Sequence, residues 1–185
     1  MCRLFPLTRK VHKMARYQFQ PANFGLAFLV ILSVVSFDLL AKMIIVDLVM
    51  QPPRLISLTS FLNLTLGFNS GVAFGLFSGF FTEYPALLMG ASMGIAFLLL
   101  AWASGTKSLM KATALGLVSG GAFANIWDRI QTGAVTDFID FHVGEWHWPA
   151  FNLADIAIAL GTAGLLIAYL RKPRKNTPTA AKRPL

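Results

Sequence analysis

Four long apolar stretches alternate with segments of different character. Residues 24–46, 85–102, 112–127 and 152–169 are nearly continuous runs of Leu, Ile, Val, Ala, Phe and Gly. A helix needs about 20 such residues to cross the hydrocarbon core of a bilayer, so each run predicts one spanning helix. Between the first two runs, Leu62, Leu64, Leu66 and Phe68 alternate with Asn63, Thr65, Gly67 and Asn69. Strict period two marks a half-buried strand, which a plain loop would not show. Asn69, Ser70 and Gly71 then read as a turn, and residues 72–77 as a second short strand. A small hairpin or sheet lying on the membrane surface is expected. Gly116, Gly120 and Gly121 in the third run, with Gly161 and Gly164 in the fourth, let helix backbones approach closely in lipid.

The charges set the direction of these helices. Thirteen of the 16 Lys and Arg residues fall in three blocks: Arg3, Arg9, Lys10, Lys13 and Arg16; Lys107 and Lys111; and Arg171, Lys172, Arg174, Lys175, Lys182 and Arg183. Basic residues accumulate in cytoplasmic loops, so all three blocks are expected inside, with two spans between consecutive blocks. Both termini are then cytoplasmic. Residues 1–23 and 172–185 become basic tails around a single membrane domain at 24–171, and segments 47–84 and 128–151 lie outside. The first run is longer than the core of a signal peptide and carries Asp38 and Lys42, so it reads as a retained helix. The C-terminal tail, with Pro173, Pro178 and Pro184 among basic and small residues, is expected to be disordered.

Composition narrows the class. The chain is 56% hydrophobic and 13% charged, where soluble domains have about 45–50% and about 25%. It cannot cover a water-exposed surface, which excludes a soluble enzyme. A net charge of +8 would suggest nucleic acid in a soluble protein. Here the charge flanks membrane spans, and no basic groove with interleaved aromatics accompanies it, so no nucleic-acid partner is expected.

Ionisable groups within apolar runs are costly and point to function by default. Asp38 and Lys42 stand four apart on one helix face and are expected to form a structural ion pair; replacing both should be milder than replacing either alone. Asp128 and Arg129 end the third run, with Asn125 one turn earlier. Asp155 follows Asn152 by three residues, the spacing of a helix cap and of an acid placed on the helix dipole. Asp137 stands between Thr136 and Phe138, away from any basic neighbour, and a desolvated carboxylate without a basic partner holds its proton to higher pH. Brought together, Asp137 and Asp155 would share a proton, as the carboxylates of aspartic proteases do when they activate water. Asp128 competes for a catalytic place, but its position suggests that Arg129 or helix-end contacts hold it. A transporter relaying protons through Asp38, Lys42, Asp128 and Asp155 is the rival reading. Such a relay spreads its charges through the spans and breaks helices at the midplane, whereas these acids collect toward one face. His142, Glu145 and His147 lack the spacing that puts two His on one helix face. Trp146 and Trp148 read as interfacial anchors, and the lone Cys2 lies in a tail on the opposite side. No metal and no cofactor is expected.

Four motifs carry a resemblance to a known family: Asp38-Leu-Leu-Ala-Lys42; Asn69-Ser-Gly-Val-Ala-Phe-Gly75; Gly120-Gly-Ala-Phe-Ala-Asn125-Ile-Trp-Asp128-Arg129 running on to Val135-Thr-Asp137-Phe138; and Phe151-Asn152-Leu-Ala-Asp155. In this order on four spans, they resemble the bacterial prolipoprotein signal peptidases (signal peptidase II). The resemblance covers about residues 24–171, with Ala124 where Gly is common and Ala41 where Ser or Thr is common. It implies an all-α membrane protein with a small β element, a four-transmembrane-helix bundle plus a periplasmic-side β-cradle. It also implies an aspartic endopeptidase of the bacterial inner membrane, with Asp137 and Asp155 as the catalytic pair. Asn69, Gly71, Asn125, Asp128, Arg129 and Asn152 would form the polar, substrate-binding lining of the pocket. The implied substrate is a prolipoprotein whose cysteine carries a diacylglyceryl group, cut just before that cysteine near the periplasmic face, while its lipid tails stay in the bilayer. The expected form is a monomer in contact with membrane lipid.

Overall fold

The computed structural model describes residues 18–72 and 75–171. The expectations for Cys2, for the basic N-terminal tail and for a disordered C-terminal tail lie outside the described residues. Four helices are long and apolar enough to cross a membrane. Helix α1 spans Pro21–Met43 and runs on as a π-helical turn, Ile44–Val49. It starts at Pro21, three residues before the first apolar run, because proline's fixed φ and missing N–H suit the first helical position. A short α2 spans Ser78–Glu83, followed by α3 at Pro85–Gly105, α4 at Leu109–Thr132 and α5 at Leu153–Leu170.

Helix α4 is the hub of the bundle. Within its apolar window 56% of residues are buried, against 17–22% in the other three spans. Its glycines account for this. A Cβ at Gly116 would stand 2.8 Å from the Ala27 carbonyl oxygen of α1, and one at Gly161 of α5 would stand 2.6 Å from the Ala114 carbonyl oxygen of α4. Gly121 meets Ala154 and Ile158 of α5 still more closely. With no apolar driving force between helices in lipid, such close backbone packing is what holds them together. At the other end, Asn23 donates to the Thr106 carbonyl (2.7 Å), tying the start of α1 to the α3–α4 connector.

The segments between α1 and α2 and between α4 and α5 form one antiparallel sheet in the order β1 (Ile56–Thr59), β2 (Leu62–Asn69), β3 (Val135–Val143), β4 (Trp146–His147). The alternating stretch is β2, as its periodicity predicts. Val72 and Gly75–Phe77 are not in a strand, and this corrects the second short strand expected over residues 72–77. The Val72 N–H reaches forward to Leu76 O (3.0 Å) and the Gly75 N–H returns to Val72 O (3.1 Å). Gly75 (φ 71°) and Phe77 (φ 58°) take left-handed conformations that no strand admits. The partners of β2 come from elsewhere: β1 before it and β3 from the segment between α4 and α5. Phe138 of β3 is buried against Ile45 and Met50, in and just after the π-helical turn that extends α1. This small apolar core seats the sheet on the bundle and turns the neighbouring side chain, Asp137, to the opposite face.

Candidate active site

The chain leaving the sheet brings Asp137 and Asp155 together. Phe151 pairs with β3 next to Asp137: its carbonyl accepts from the N–H groups of Phe138 (3.1 Å) and Ile139 (2.9 Å), and its own N–H donates to Ile139 O (3.0 Å). The next residue, Asn152, caps α5. Its side-chain oxygen accepts from the Asp155 N–H (3.0 Å), while an Asp155 carboxylate oxygen accepts from the Asn152 N–H (3.3 Å). This reciprocal capping box shows that the cap expected from sequence is real. Capping does not use up Asp155. Its other oxygen accepts from Asn125 Nδ2 (2.9 Å), and Asp155 also lines a cavity together with Asp137. Asn152 Nδ2 in turn donates to Asp137 Oδ1 (2.7 Å). A single asparagine therefore touches both carboxylates.

Behind this pair lies a buried ionic cluster. Asp38 and Lys42 form the expected pair at 2.8 Å. Lys42 Nζ also meets Asp128 Oδ2 at 3.0 Å and donates to Asn125 Oδ1 (3.3 Å). Asp38 Oδ1 accepts from the Ala154 N–H (2.8 Å) in the first turn of α5, where a carboxylate suits the helix dipole. Asp128 Oδ2 accepts from the Thr136 N–H (2.6 Å) and so fixes the start of β3. One lysine thus ties α1 and α4 to the segments that carry both aspartates. Because Asn125 Oδ1 accepts from Lys42 and from Asn152 Nδ2 (3.3 Å), its amino group has to face Asp155.

The cavity holds about 500 Å³ and is walled mainly by Leu88, Ala122, Ile156, Ile158 and Ala159, with Asn69, Asn125, Arg129, Asp137 and Asp155 at its polar end. Asp137 is only 4% exposed. Burial, reinforced by the charge of Asp155, raises its carboxyl from the ordinary 3.8 to about 7, although Asn152, Lys42 and Asn69 favour the ionised form. Arg129 donates to the carbonyl oxygens of Asn125 (3.3 Å) and Gly71. That contact pins the turn in which Asn69 Oδ1 accepts from the Gly71 N–H (2.9 Å).

Of the six residues expected to line the pocket, Asn69, Asn125 and Arg129 do so. Gly71, Asp128 and Asn152 are buried and do not line this cavity. Gly71 is engaged by Arg129, Asp128 by Lys42 and Thr136, and the fully buried Asn152 by both aspartates. Asp128 is held chiefly by Lys42, 86 positions away in sequence, and sequence spacing alone offers no signal for that. His147 is engaged by Asp140 (2.8 Å). Burial opposes charge on Asp140, but the hydrogen bonds from Asn63 and His147 outweigh it and hold its carboxyl below the ordinary range. No group of three His, Cys, Asp or Glu side chains suited to a metal occurs among the described residues.

Four helices long and apolar enough to cross a membrane, three of which wall an apolar cavity with two carboxylates at its polar end, define a multi-pass membrane protein with an embedded carboxylate site. A family model described as signal peptidase (SPase) II matches residues 30–171. The lipoprotein signal peptidase of Paraburkholderia phymatum is 39% identical over 165 residues, covering 87% of this chain and 98% of that protein. That of Burkholderia cenocepacia is 41% identical over 167 residues, with 87% and 98% covered. A bacterial membrane enzyme solved by the in meso method at 2.3 Å resolution superposes with a TM-score of 0.71 at 28% identity, covering 85% of this chain and 95% of that one. The chain belongs to the signal peptidase II family and is a membrane-embedded protease.

Proposed function

We propose that this protein is an aspartic endopeptidase of the inner membrane that removes signal peptides from diacylglyceryl-modified prolipoproteins, cutting just before the lipidated cysteine. The observation that carries the aspartic reading is the joint placement of Asp137 and Asp155 on Asn152 at the polar end of an apolar cavity. The family and the curated relatives' names support the substrate class. Asp155 receives donors from Asn125 and from the Asn152 backbone, so it is the member assigned the charge. Asp137, with its carboxyl near 7, holds the proton. Asp155 takes a proton from water as the oxygen attacks the scissile carbonyl carbon. Asp137 donates a hydrogen bond to the carbonyl oxygen as charge develops on it. The proton on Asp155 then passes to the cysteine nitrogen as the C–N bond breaks. The chemistry uses no metal, so chelators should leave the rate unchanged. The direct test offers purified protein a precursor with and without its diacylglyceryl group. Cleavage of the lipidated form alone is expected, and equal cleavage of both would refute the substrate assignment.

The elevated carboxyl of Asp137 also sets a pH dependence. Cleavage should fall as pH rises through about 7, where the pair loses its shared proton, with the apparent values belonging to the pair. The same shift bears on stability. Because the folded state binds this proton more tightly than the unfolded chain, stability is lost as pH rises from 3.8 toward about 7. Asp137→Asn should flatten that slope in thermal melts; a slope unchanged by the substitution would contradict the assignment.

We further propose that both termini are cytoplasmic, that the active site lies near the periplasmic face, and that the enzyme works as a monomer among membrane lipids. The orientation rests on the three basic blocks. Single cysteines near Arg54 and Glu145 should react with an impermeant reagent in intact cells, and one at Lys107 should not. The opposite pattern would invert the topology.

A further inference from the structure

Asp137 borders a second cleft. This cleft holds about 380 Å³ and is lined by the consecutive residues Gly67, Phe68, Asn69 and Ser70, with Ser78 at the start of α2 and the Pro149–Ala150 segment opposite. Asn69, Asp137 and Ala150 border both cavities, so the two meet at Asp137. Their chemistry differs. The first is walled by apolar side chains of α3, α4 and α5, whereas the second is made entirely of outer-segment residues, several of them polar. Alternate side chains of a strand point to opposite faces, so four consecutive residues can line one cleft only if the edge of the strand faces it. That edge is free: β1 pairs with Leu62–Leu64 only, leaving Gly67–Asn69 with β3 on one side and no strand on the other among the described residues. An unpaired edge is a template for an extended peptide.

Gly67 controls the room in this cleft. It lies directly across from Asp137 in the β2–β3 register, and cross-strand partners project on the same face. Among the described residues, the only neighbour within 4 Å of a Cβ placed there is the Asp137 carbonyl oxygen, at 3.7 Å. A Cβ there makes only an ordinary van der Waals contact, and a longer side chain starting from it would take room in the cleft beside the aspartate.

We propose that this second cleft binds the polypeptide that follows the cut, the first residues of the mature chain, as an extended segment along the Gly67–Ser70 edge. Gly67 and Ser78 are its size-determining positions. The proposal rests on the proteolytic reading above. Its test measures kcat/KM for two diacylglyceryl lipopeptides, one ending directly after the cysteine and one continuing for several residues. The wild-type protein should process the longer one about tenfold better, mainly through KM, from a few added hydrogen bonds. Gly67→Leu and Ser78→Trp should each shrink that preference to within about twofold, whatever they do to the shorter substrate. Ser78 is exposed, so its variant carries the test if Gly67→Leu does not fold. A wild-type enzyme without the preference, or a preference that survives both variants, would overturn the assignment. Failure of the wild type to cut either peptide would instead remove the peptidase reading itself.

Discussion

Asp137→Asn and Asp155→Asn should each reduce cleavage by roughly four orders of magnitude or more while folded protein remains in the membrane. The local geometry explains why the fold survives. Asp137 accepts from Asn152 through one oxygen, and an asparagine oxygen can take that role while its amino group faces the cavity. At position 155 an asparagine can keep the bond from the Asn152 N–H and lose the one from Asn125, a cost of about 1 kcal/mol. Neither variant can hold the single shared proton, so the reaction loses its base or its acid. Since the two groups act as one unit, the double variant should be no worse than either single one. Rates on a lipidated precursor, with folded protein measured by gel filtration, decide this. Near-full activity in Asp137→Asn with total loss in Asp128→Asn would move the catalytic place to Asp128.

The largest stability effect is expected at Lys42. Its ammonium group meets Asp38 at 2.8 Å, Asp128 at 3.0 Å and Asn125 at 3.3 Å, with 6% of the side chain exposed. Lys42→Met leaves two buried carboxylates without their cation, and breaking a buried pair costs about 3–5 kcal/mol. The structure changes the expected pattern among combined variants. Removing Asp38 with Lys42 relieves only part of the damage, because Asp128 stays behind. Adding Asp128→Asn to that double variant should restore most of the stability. Thermal unfolding in detergent would show this order, and a Lys42→Met melting temperature equal to wild type would contradict it.

How much of this was legible in the sequence differs element by element. The spanning helices announce themselves because lipid demands long apolar runs, and β2 announces itself by its alternation. The third strand does not: Val135, Thr136, Asp137 and Phe138 are all buried, and a strand covered on both faces loses period two. Residues 72–77 misled because their apolar composition suits a strand, while the left-handed Gly75 and Phe77 are set by the loop they close. In the site, Asp38–Lys42 was readable from its four-residue spacing. The contacts of Lys42 with Asp128 and Asn125 arise from helix packing between α1 and α4, and local spacing carries no trace of them. Asp155 invited two readings, cap and catalyst, and its two oxygens leave both open to it: one closes the capping box and the other turns to Asn125 beside the cavity.

The central claim is that Asp137 and Asp155 together hydrolyse the bond before a lipidated cysteine. Intact-mass analysis of a diacylglyceryl-prolipoprotein incubated with purified wild-type protein, in parallel with Asp137→Asn, tests it most directly. The wild type should give a mature fragment beginning at the lipidated cysteine, with its complementary signal peptide, and the variant uncut precursor. The same two fragments appearing at a comparable rate from the Asp137→Asn protein, or a wild-type cut at another bond, would contradict it.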